Sequence, residues 1–328
     1  KSGAPAPATP AKVPPLFRPI DWLVLIIAFG VIWAIYLFTL APDLTLEDSG
    51  ELCTGAFYAG IPHPPGYPFW SIYSWLWTVI LPFGSVTWRV EVGECTAAAM
   101  ACGLVGFMVS RGSSMFIEGI EALRGVARKW ENAICLVCGV AAGLMLGLDD
   151  YMWRESVVIN RISLFDVPWL MIVLLCILRW MYAPHQRRYL YIGMFFFGLC
   201  ATIHQTMLVA AMGIEVAIAA TNFKLGRDLF LGNSVIYILG LIGISSSKLP
   251  FMTGLDPMLL GMFHAVGIGS IIACLWLTAK TRGLGSELQP VIIMGICWLV
   301  GACFYFYEAI SCMTNPPMEW GYPRTVEG

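Results

Sequence analysis

Charged side chains are scarce in this sequence. Asp, Glu, Lys and Arg make up 12% of its 328 residues, and no Lys or Arg occurs between residues 19 and 88. Soluble domains carry about a quarter charged residues, so a chain that is 58% hydrophobic belongs instead to the integral membrane class. The few basic residues are scattered along the sequence, so we expect no nucleic-acid partner.

The eleven cysteines lack the spacing of a disulfide framework, because most of them lie inside apolar runs. Cys135 and Cys138 form a CxxC pair, but within a hydrophobic helical segment, where a small apolar role is the expected one. A structural zinc site needs a second ligand pair, and the sequence offers none. We therefore expect no metal site.

Long apolar segments dominate what is present. They predict an all-α polytopic membrane helix bundle of about nine to ten membrane segments, because a spanning helix needs roughly 17–25 residues. The segments are 22–40, 68–82, 91–110, 132–148, 157–182, 189–204, 206–222, 229–246, 257–279 and 289–310. We divide the chain into a Pro/Ala-rich extended tail (1–21), the bundle (22–310) and an external segment (311–328). Alternating apolar and charged residues at 111–131 predict an amphipathic helix on the membrane surface.

The basic residues orient this bundle. If 68–82 dips into the membrane without crossing it, most of the 19 Lys and Arg residues lie on the inner side. The chain then crosses nine times, and the polar stretches 43–67 and 149–161, His204 and the residues after 311 gather on the outer side. Two patterns thus agree on one extracytoplasmic site, built around an external loop at 41–67.

That loop holds four carboxylates within nine residues, 43–51. Asp48 and Glu51 are three residues apart, so on a helix they share a face, and a carboxylate there could act as a general base. Alternatively, Asp48 or Ser49 caps a helix from about 50 to 59 that ends at Gly60. Both readings are compatible with the spacing.

Four further places carry polar residues with two readings each. His63, in a rigid Pro-rich turn, binds substrate or is structural. Arg154 and Arg161, two helical turns apart, contact a lipid phosphate or snorkel and pair locally. His204 lies between two apolar segments and makes a helix–helix hydrogen bond or joins the site. The loop with Asn315 and Trp320 closes over the site or is an ordinary connection.

Four motifs in order carry a resemblance: Asp48-Ser49-Gly50-Glu51, the His63–Pro68 turn, Trp88-Arg89-Val90, and the loop from Asn315 to Gly321. Together they resemble the transmembrane O-mannosyltransferase family of the GT-C superfamily, and specifically its bacterial relatives, with an apparently shortened C-terminus. The resemblance implies a GT-C-like fold in a bacterial inner membrane, with the site facing the periplasm.

The resemblance also implies a function. An inverting glycosyltransferase would move a mannose-like sugar from a polyprenyl-phosphate donor to a hydroxyl acceptor, with membrane lipid as its surroundings and no cofactor. The catalytic role falls to Asp48, with Glu51 second. Candidate substrate-binding residues are His63, Arg89, His204, Asn315 and Trp320, together with Arg154 and Arg161, whose phosphate role we infer from the residues themselves and not from the resemblance. His63 and Arg89 would support either the donor or the fold.

One departure supports a second hypothesis. Family members usually carry Glu-Val-Tyr where this chain has Asn160-Arg161-Ile162. The alternative is therefore a catalytically inactive GT-C-like subunit of a larger membrane complex, held to partner subunits through the 1–21 tail. A transporter is a third possibility, but it would need intramembrane charged pairs or repeats. The sequence shows only Glu215 and His264 in apolar segments, and no repeat.

Overall fold

The computed structural model describes residues 14–45, 47–64, 66–159, 162–246 and 257–321. Within these ranges the chain is built from helices and contains no β-strand, which confirms the predicted all-α bundle. The helices are α1 Pro19–Thr39, α2 Ser49–Phe57, α3 Pro68–Ile80, α4 Val86–Gly119, α5 Arg128–Gly147, α6 Asp150–Ser156, α7 Asp166–Tyr182, α8 Arg188–Ala201, α9 Ala210–Thr221, α10 Phe223–Ser245, α11 Pro257–Thr281, α12 Leu288–Ala302 and α13 Phe306–Cys312.

Six of the described helical stretches are long and apolar enough to cross a membrane. They are α1, α4, α5, α10, residues Leu260–Thr281 of α11, and the run Leu288–Cys312 that contains α12 and α13. Their outer faces are apolar, as Phe38, Val137 and Ile236 illustrate, each at least 66% exposed. Such surface is stable in lipid rather than in water, so the chain is a multi-pass membrane protein. The count of nine crossings stays a prediction.

Helix α4 is the centre of the first half of the bundle and packs against α1, α3, α5 and α7. Its contact with α1 and α5 depends on Gly139, Gly143 and Gly147, which are spaced four apart on one buried face of α5. A Cβ on Gly143 would lie 2.7 Å from Ala28 Cβ and 2.8 Å from the Cys102 carbonyl oxygen. Small residues at this spacing let membrane helices approach closely.

Helix α3 runs antiparallel to the first turns of α4. Near its start, the Trp70 indole N–H donates to the Glu94 carboxylate, and Tyr73 Oη donates to the Gly93 carbonyl at 2.8 Å. Near its end, the Thr78 carbonyl accepts from Arg89 Nη1 at 3.1 Å. Both ends of α3 therefore contact the same short part of α4. That this segment enters the membrane without crossing it stays a prediction.

The predicted surface helix at 111–131 is not one helix, and this prediction is wrong. Residues 111–119 are the last turns of α4, a 3₁₀ turn follows at Glu121–Leu123, and α5 begins at Arg128. The chain turns because Ile120 adopts an extended conformation, with ψ 119°. Arg111 is buried and donates to Ser114 at 2.6 Å. The alternating pattern therefore reflects the ends of two helices rather than one surface helix.

A buried polar cluster joins α1 to α5 at the inner end of the predicted topology. The Arg18 guanidinium donates to Glu131 and, at 3.1 Å, to Cys135 Sγ, while Arg18 N donates to Asp21 Oδ2 at 2.8 Å. Cys135 is buried, whereas Cys138 is exposed, so the two thiols face different surroundings. Of the predicted tail, residues 1–13 lie outside the described residues.

Candidate active site

The first candidate residues lie at the start of α2. Asp48 occupies the N-cap position, but its side chain makes no capping hydrogen bond within the described residues. Ser49 Oγ accepts from Thr45 N instead, at 3.1 Å, which orders the chain leading into the helix. The helix forms at Ser49–Phe57, close to the predicted 50–59. The structure does not support Asp48 as a side-chain cap. Asp48 as a whole residue is half-buried, whereas its side chain, in the cluster with Glu51 and His63, is exposed.

Glu51, one turn later, is joined to His63 and through it to Tyr67. Glu51 Oε1 accepts from His63 N at 2.6 Å and contacts His63 Nδ1 at 3.1 Å. His63 Nε2 lies 3.2 Å from Tyr67 Oη. An ionised carboxylate only accepts, so this contact places a proton on Nδ1 and leaves Nε2 to accept from the phenol. The result is a directed chain from Tyr67 through His63 to Glu51.

Tyr67 is fixed by its backbone and by its neighbours. It adopts a left-handed conformation with φ 48°, and Pro68 begins α3 directly after it. Its ring is buried and stacks on His204, with centroids 6.4 Å apart and an interplanar angle of 15°. Burial, together with the negative charges of Asp48, Glu51 and Asp166, raises the pKa of Tyr67. His204 thus lies beside Tyr67, and its role in substrate binding stays a prediction.

Asp48, Glu51 and His63 also form a possible ligand set. Each offers one ligand atom, and these atoms all lie within 4.8 Å of one another. Two carboxylates and an imidazole suit a divalent cation. However, both ring nitrogens of His63 already contact Glu51 and Tyr67, so binding a metal through His63 would break one of these contacts. The arrangement fits proton handling better than metal binding.

Three carboxylates that sequence analysis missed lie close to this loop. Glu91, Glu94 and Asp166 are each at least 93% buried. Glu94 accepts from the Trp70 indole. Both carboxylate oxygens of Glu91 and the Oδ1 atom of Asp166 lack a hydrogen-bond partner among the described residues. Acidic residues inside apolar segments were the available signal, since buried charge is costly and marks function or specific pairing.

Arg89 does not join the candidate site. Its guanidinium donates to three backbone carbonyls, those of Phe83, Thr78 and Gly84, each at 3.1 Å. These bonds hold the end of α3 against the start of α4. Of the two roles that the resemblance implied for Arg89, the structure therefore supports the one in the fold, and the substrate-binding role is not supported.

The predicted phosphate contacts are only partly described. Arg154 lies on α6, where its side chain is 63% exposed and its Nε is 3.4 Å from Glu155 Oε1. Trp153 Nε1 donates to Thr39 Oγ1 at 3.0 Å, which places α6 beside the end of α1, the same end that leads into the 41–48 loop. Asn160 and Arg161 lie outside the described residues. Arg154 remains available to an anion.

The loop with Asn315 and Trp320 reaches the candidate site from the far end of the sequence. Trp320 N donates to the Ile61 carbonyl at 3.1 Å, two residues before His63. The Trp320 side chain is half exposed, and Asn315 has a left-handed φ of 51°. Residues 322–328 lie outside the described ones. The loop thus contacts the site's backbone, and its closing over the site stays a prediction.

An apolar groove of about 660 Å³ lies elsewhere. It is lined by the later turns of α4, by the 3₁₀ turn that follows and by α5, including Phe116, Leu123 and Cys138. Helix α4 is about 50 Å long, and Glu91 and Glu94 are on its first turns, so the groove is far from the candidate site.

Comparison of the sequence with known proteins identifies a family. Residues 48–226 match the model of the protein O-mannosyl-transferase TMEM260 N-terminal domain. The chain is similar to protein O-mannosyl-transferase TMEM260 of Mus musculus, with 38% identity over 94 residues, which are 29% of this chain and 13% of the relative. It is also similar to the Dictyostelium discoideum protein of that name, with 25% identity over 125 residues, 38% of this chain and 13% of the relative. No solved structure matches the chain.

Proposed function

Because the chain belongs to the protein O-mannosyl-transferase TMEM260 N-terminal domain family, we propose that it is part of a membrane glycosyltransferase that moves mannose onto a protein hydroxyl. The chain spans only 13% of each of the two curated relatives in their alignments, so their activity comes to it as a proposal. The observation that carries it is the exposed, uncapped Asp48 carboxylate beside the Glu51–His63–Tyr67 chain, all within the matched region.

In this proposal Asp48 is the general base. Its carboxylate takes the proton of the acceptor hydroxyl, and the hydroxyl oxygen forms a bond to the anomeric carbon of the sugar. The bond between that carbon and the donor phosphate oxygen breaks, and the lipid phosphate leaves with the electron pair. One displacement inverts the anomeric configuration. Asp48 suits this role because the described residues do not occupy its side chain with a cap.

The Glu51–His63–Tyr67 chain shapes the wall against which the sugar would lie. Glu51 fixes the His63 ring, and His63 holds the Tyr67 hydroxyl. Since the pKa of Tyr67 is raised, the phenol stays neutral and its oxygen keeps a lone pair for a sugar hydroxyl. We propose a polyprenyl-phosphate sugar as the donor, because a lipid-linked substrate can reach the site of a multi-pass membrane protein directly from the lipid bilayer.

The negative charge that develops on the leaving lipid phosphate needs a cation or hydrogen-bond donors to stabilise it. Arg154 is the described cation at this end of the bundle with a largely exposed side chain, and we propose that it contacts the phosphate. Arg161, predicted for the same role, stays a prediction. We also propose that the site faces the extracytoplasmic side, in bacterial cells the periplasm, since most basic residues belong to the other side by the positive-inside rule.

The test measures mannose transfer in membranes that contain the wild-type chain or Asp48→Asn, supplied with radiolabelled polyprenyl-phosphate mannose and a Ser/Thr peptide. We expect the variant to lose about 10²–10⁴-fold in rate and the wild-type product to have inverted anomeric configuration. Asp43→Asn, which changes another acid of the same loop, is the matched control and should retain transfer. Equal rates for wild type and Asp48→Asn would assign the base elsewhere. No transfer by correctly inserted wild type would favour the inactive-subunit hypothesis.

A further inference from the structure

A short turn joins the end of α2, the helix that carries Glu51, to His63, and residues from a distant part of the chain hydrogen-bond to this turn. The turn consists of Ala59, Gly60 and Ile61. Its partner is a stretch that we call the return segment, residues 306–320, which comprises α13 and the loop after it. The return segment lies beyond the part of the chain that matches the family model, which ends at residue 226.

Each backbone carbonyl of the turn accepts a hydrogen bond from the return segment. Ser311 Oγ donates to the Ala59 carbonyl at 2.6 Å, and Tyr307 Oη donates to the Gly60 carbonyl at 3.1 Å. Ile61 donates its N–H to the Met318 carbonyl at 2.9 Å, and its own carbonyl accepts from Trp320 N. Ile61 and Glu319 thus form an isolated parallel β-bridge.

The turn has a backbone that needs such support. Ala59 has φ 50°, a left-handed conformation that is unfavourable for a residue with a Cβ. A Cβ on Gly60 would collide with the Met318 carbonyl oxygen, so the two backbones touch. Strained conformations persist where the surroundings determine them, and here the surroundings are the return segment.

Tyr307 and Ser311 are suited to hold the turn because of their spacing. They are four residues apart on α13, so both hydroxyls project from one face. Phe306 and Ile310, on other faces, are more than 60% exposed. The Glu308 carboxylate also approaches the loop, since a Cβ on Gly66 would lie 2.5 Å from its Oε1. The helix therefore contacts the chain on both sides of His63.

From these contacts we infer that Tyr307 and Ser311 are positioning residues of the candidate site, which set the distance between Glu51 and His63 through the Ala59 and Gly60 carbonyls. The inference rests on the proposed function for its catalytic consequence, but not for the geometry. Tyr307 and Ser311 touch no reacting group. They act through the turn, because only Pro62 separates Ile61 from His63, whose N–H is bonded to Glu51.

The test uses the full chain in lipid nanodiscs and the double variant Tyr307→Phe/Ser311→Ala. Hydrogen exchange of peptides that cover residues 58–64 reports on the Ile61 and His63 amides directly. We expect about tenfold faster exchange there for each hydroxyl removed, and a comparable fall in kcat for mannose transfer with donor KM within about twofold. The second variant is Tyr307→Phe/Ser311→Thr, in which residue 311 keeps a hydroxyl. Its exchange rate and its kcat should equal those of Tyr307→Phe alone.

The matched control is Tyr237→Phe/Ser234→Ala, which removes one tyrosine and one serine hydroxyl from α10. It should leave hydrogen exchange at residues 58–64 unchanged. The control thus distinguishes a general destabilisation of the protein from loss of the hydrogen bonds between the return segment and the turn. Unchanged exchange at 58–64 in the folded Tyr307/Ser311 variant overturns the inference, and so does faster exchange with unaltered kcat. If the wild type transfers no mannose, the proposed function fails, while the exchange result still decides whether the return segment holds the turn.

Discussion

Glu51 binds His63 twice, through the backbone N–H at 2.6 Å and through ring Nδ1 at 3.1 Å, with the same Oε1 atom. One carboxylate oxygen thus fixes both the position of the residue and the orientation of its ring. The backbone contact ties the start of α2 to the His63–Pro68 turn, and the ring contact selects the tautomer that accepts from Tyr67. Two separate sequence motifs thereby become one polar unit.

Removing either side of this contact should have a coupled effect. Glu51→Ala and His63→Ala each lose the contact between the carboxylate and the imidazole ring, although His63→Ala keeps the backbone N–H that donates to Glu51. The double variant should therefore be less destabilised than the sum of the two single variants. We expect a coupling energy of about 1.5–3 kcal/mol for the ring contact, the range for a hydrogen bond to a charged group. Thermal or denaturant unfolding of the four proteins measures it, and additive effects would show that the contact contributes nothing.

Tyr67 predicts a pH dependence of stability. Its pKa is raised in the folded protein, whereas in the unfolded chain it is about 10, so the folded state holds the proton more tightly. The stabilisation is complete below about pH 10 and is lost as pH rises through the folded-state pKa. The stability difference between wild type and Tyr67→Phe should thus be constant from about pH 7 to 9 and change only above that range. A change already in the neutral range would contradict the assignment.

Arg89 should matter for stability rather than for the donor. Lysine cannot reproduce three directed bonds to the Phe83, Thr78 and Gly84 carbonyls, so Arg89→Lys should lower the free energy of unfolding by about 1–3 kcal/mol and leave donor KM unaltered. The control is Arg124→Lys, because Arg124 is exposed and its Nε donates, among the described residues, to a single carbonyl, that of Glu118. A raised donor KM for Arg89→Lys would return this residue to the substrate site.

Arg154 should show the opposite pattern. Its side chain is largely exposed, and its Nε lies 3.4 Å from the Oε1 atom of Glu155, whose own side chain is mostly buried. This separation is longer than an ordinary hydrogen bond, so we expect the contact to contribute little to stability. Arg154→Gln should therefore leave the melting temperature unchanged and raise donor KM several-fold, less so at high salt, which screens exposed charge. Arg188→Gln, exposed at the start of α8, is the control. Equal donor KM for both variants and wild type would exclude Arg154 from the phosphate site.

The glycine face of α5 predicts a steric effect. Gly143→Ala places a Cβ on α5 that lies 2.7 Å from Ala28 Cβ and 2.8 Å from the Cys102 carbonyl oxygen. Helices α1 and α4 must then move away from α5, which should lower the free energy of unfolding by about 1–3 kcal/mol. Gly30→Ala is the matched control, since its Cβ meets nothing within 4 Å and alanine favours a helix over glycine. Unfolding in detergent compares the two. Equal stability for both variants would mean that the close approach is not limiting.

Several elements were predictable because they depend on local sequence. The apolar runs around residues 22–40 and 132–148 became α1 and α5 nearly at their predicted bounds. The helix after Asp48 formed where the motif placed it. The amphipathic pattern at 111–131 misled, because its alternation does not reveal that the chain turns after Ile120 and begins again at Arg128. A periodic pattern carries no information about a break that tertiary packing imposes.

The sequence by itself determined the membrane class, the all-helical architecture and the loop that carries Asp48, Glu51 and His63, since hydrophobicity and motif order are properties of neighbouring residues. Only the tertiary structure decided which partner each polar group has. It committed Arg89 to carbonyls of the fold, buried Glu91 and Asp166 near the loop, and brought Tyr307 and Ser311 onto the Ala59–Ile61 turn. Such pairings depend on contacts between residues far apart in the chain, where burial makes every hydrogen-bond partner matter.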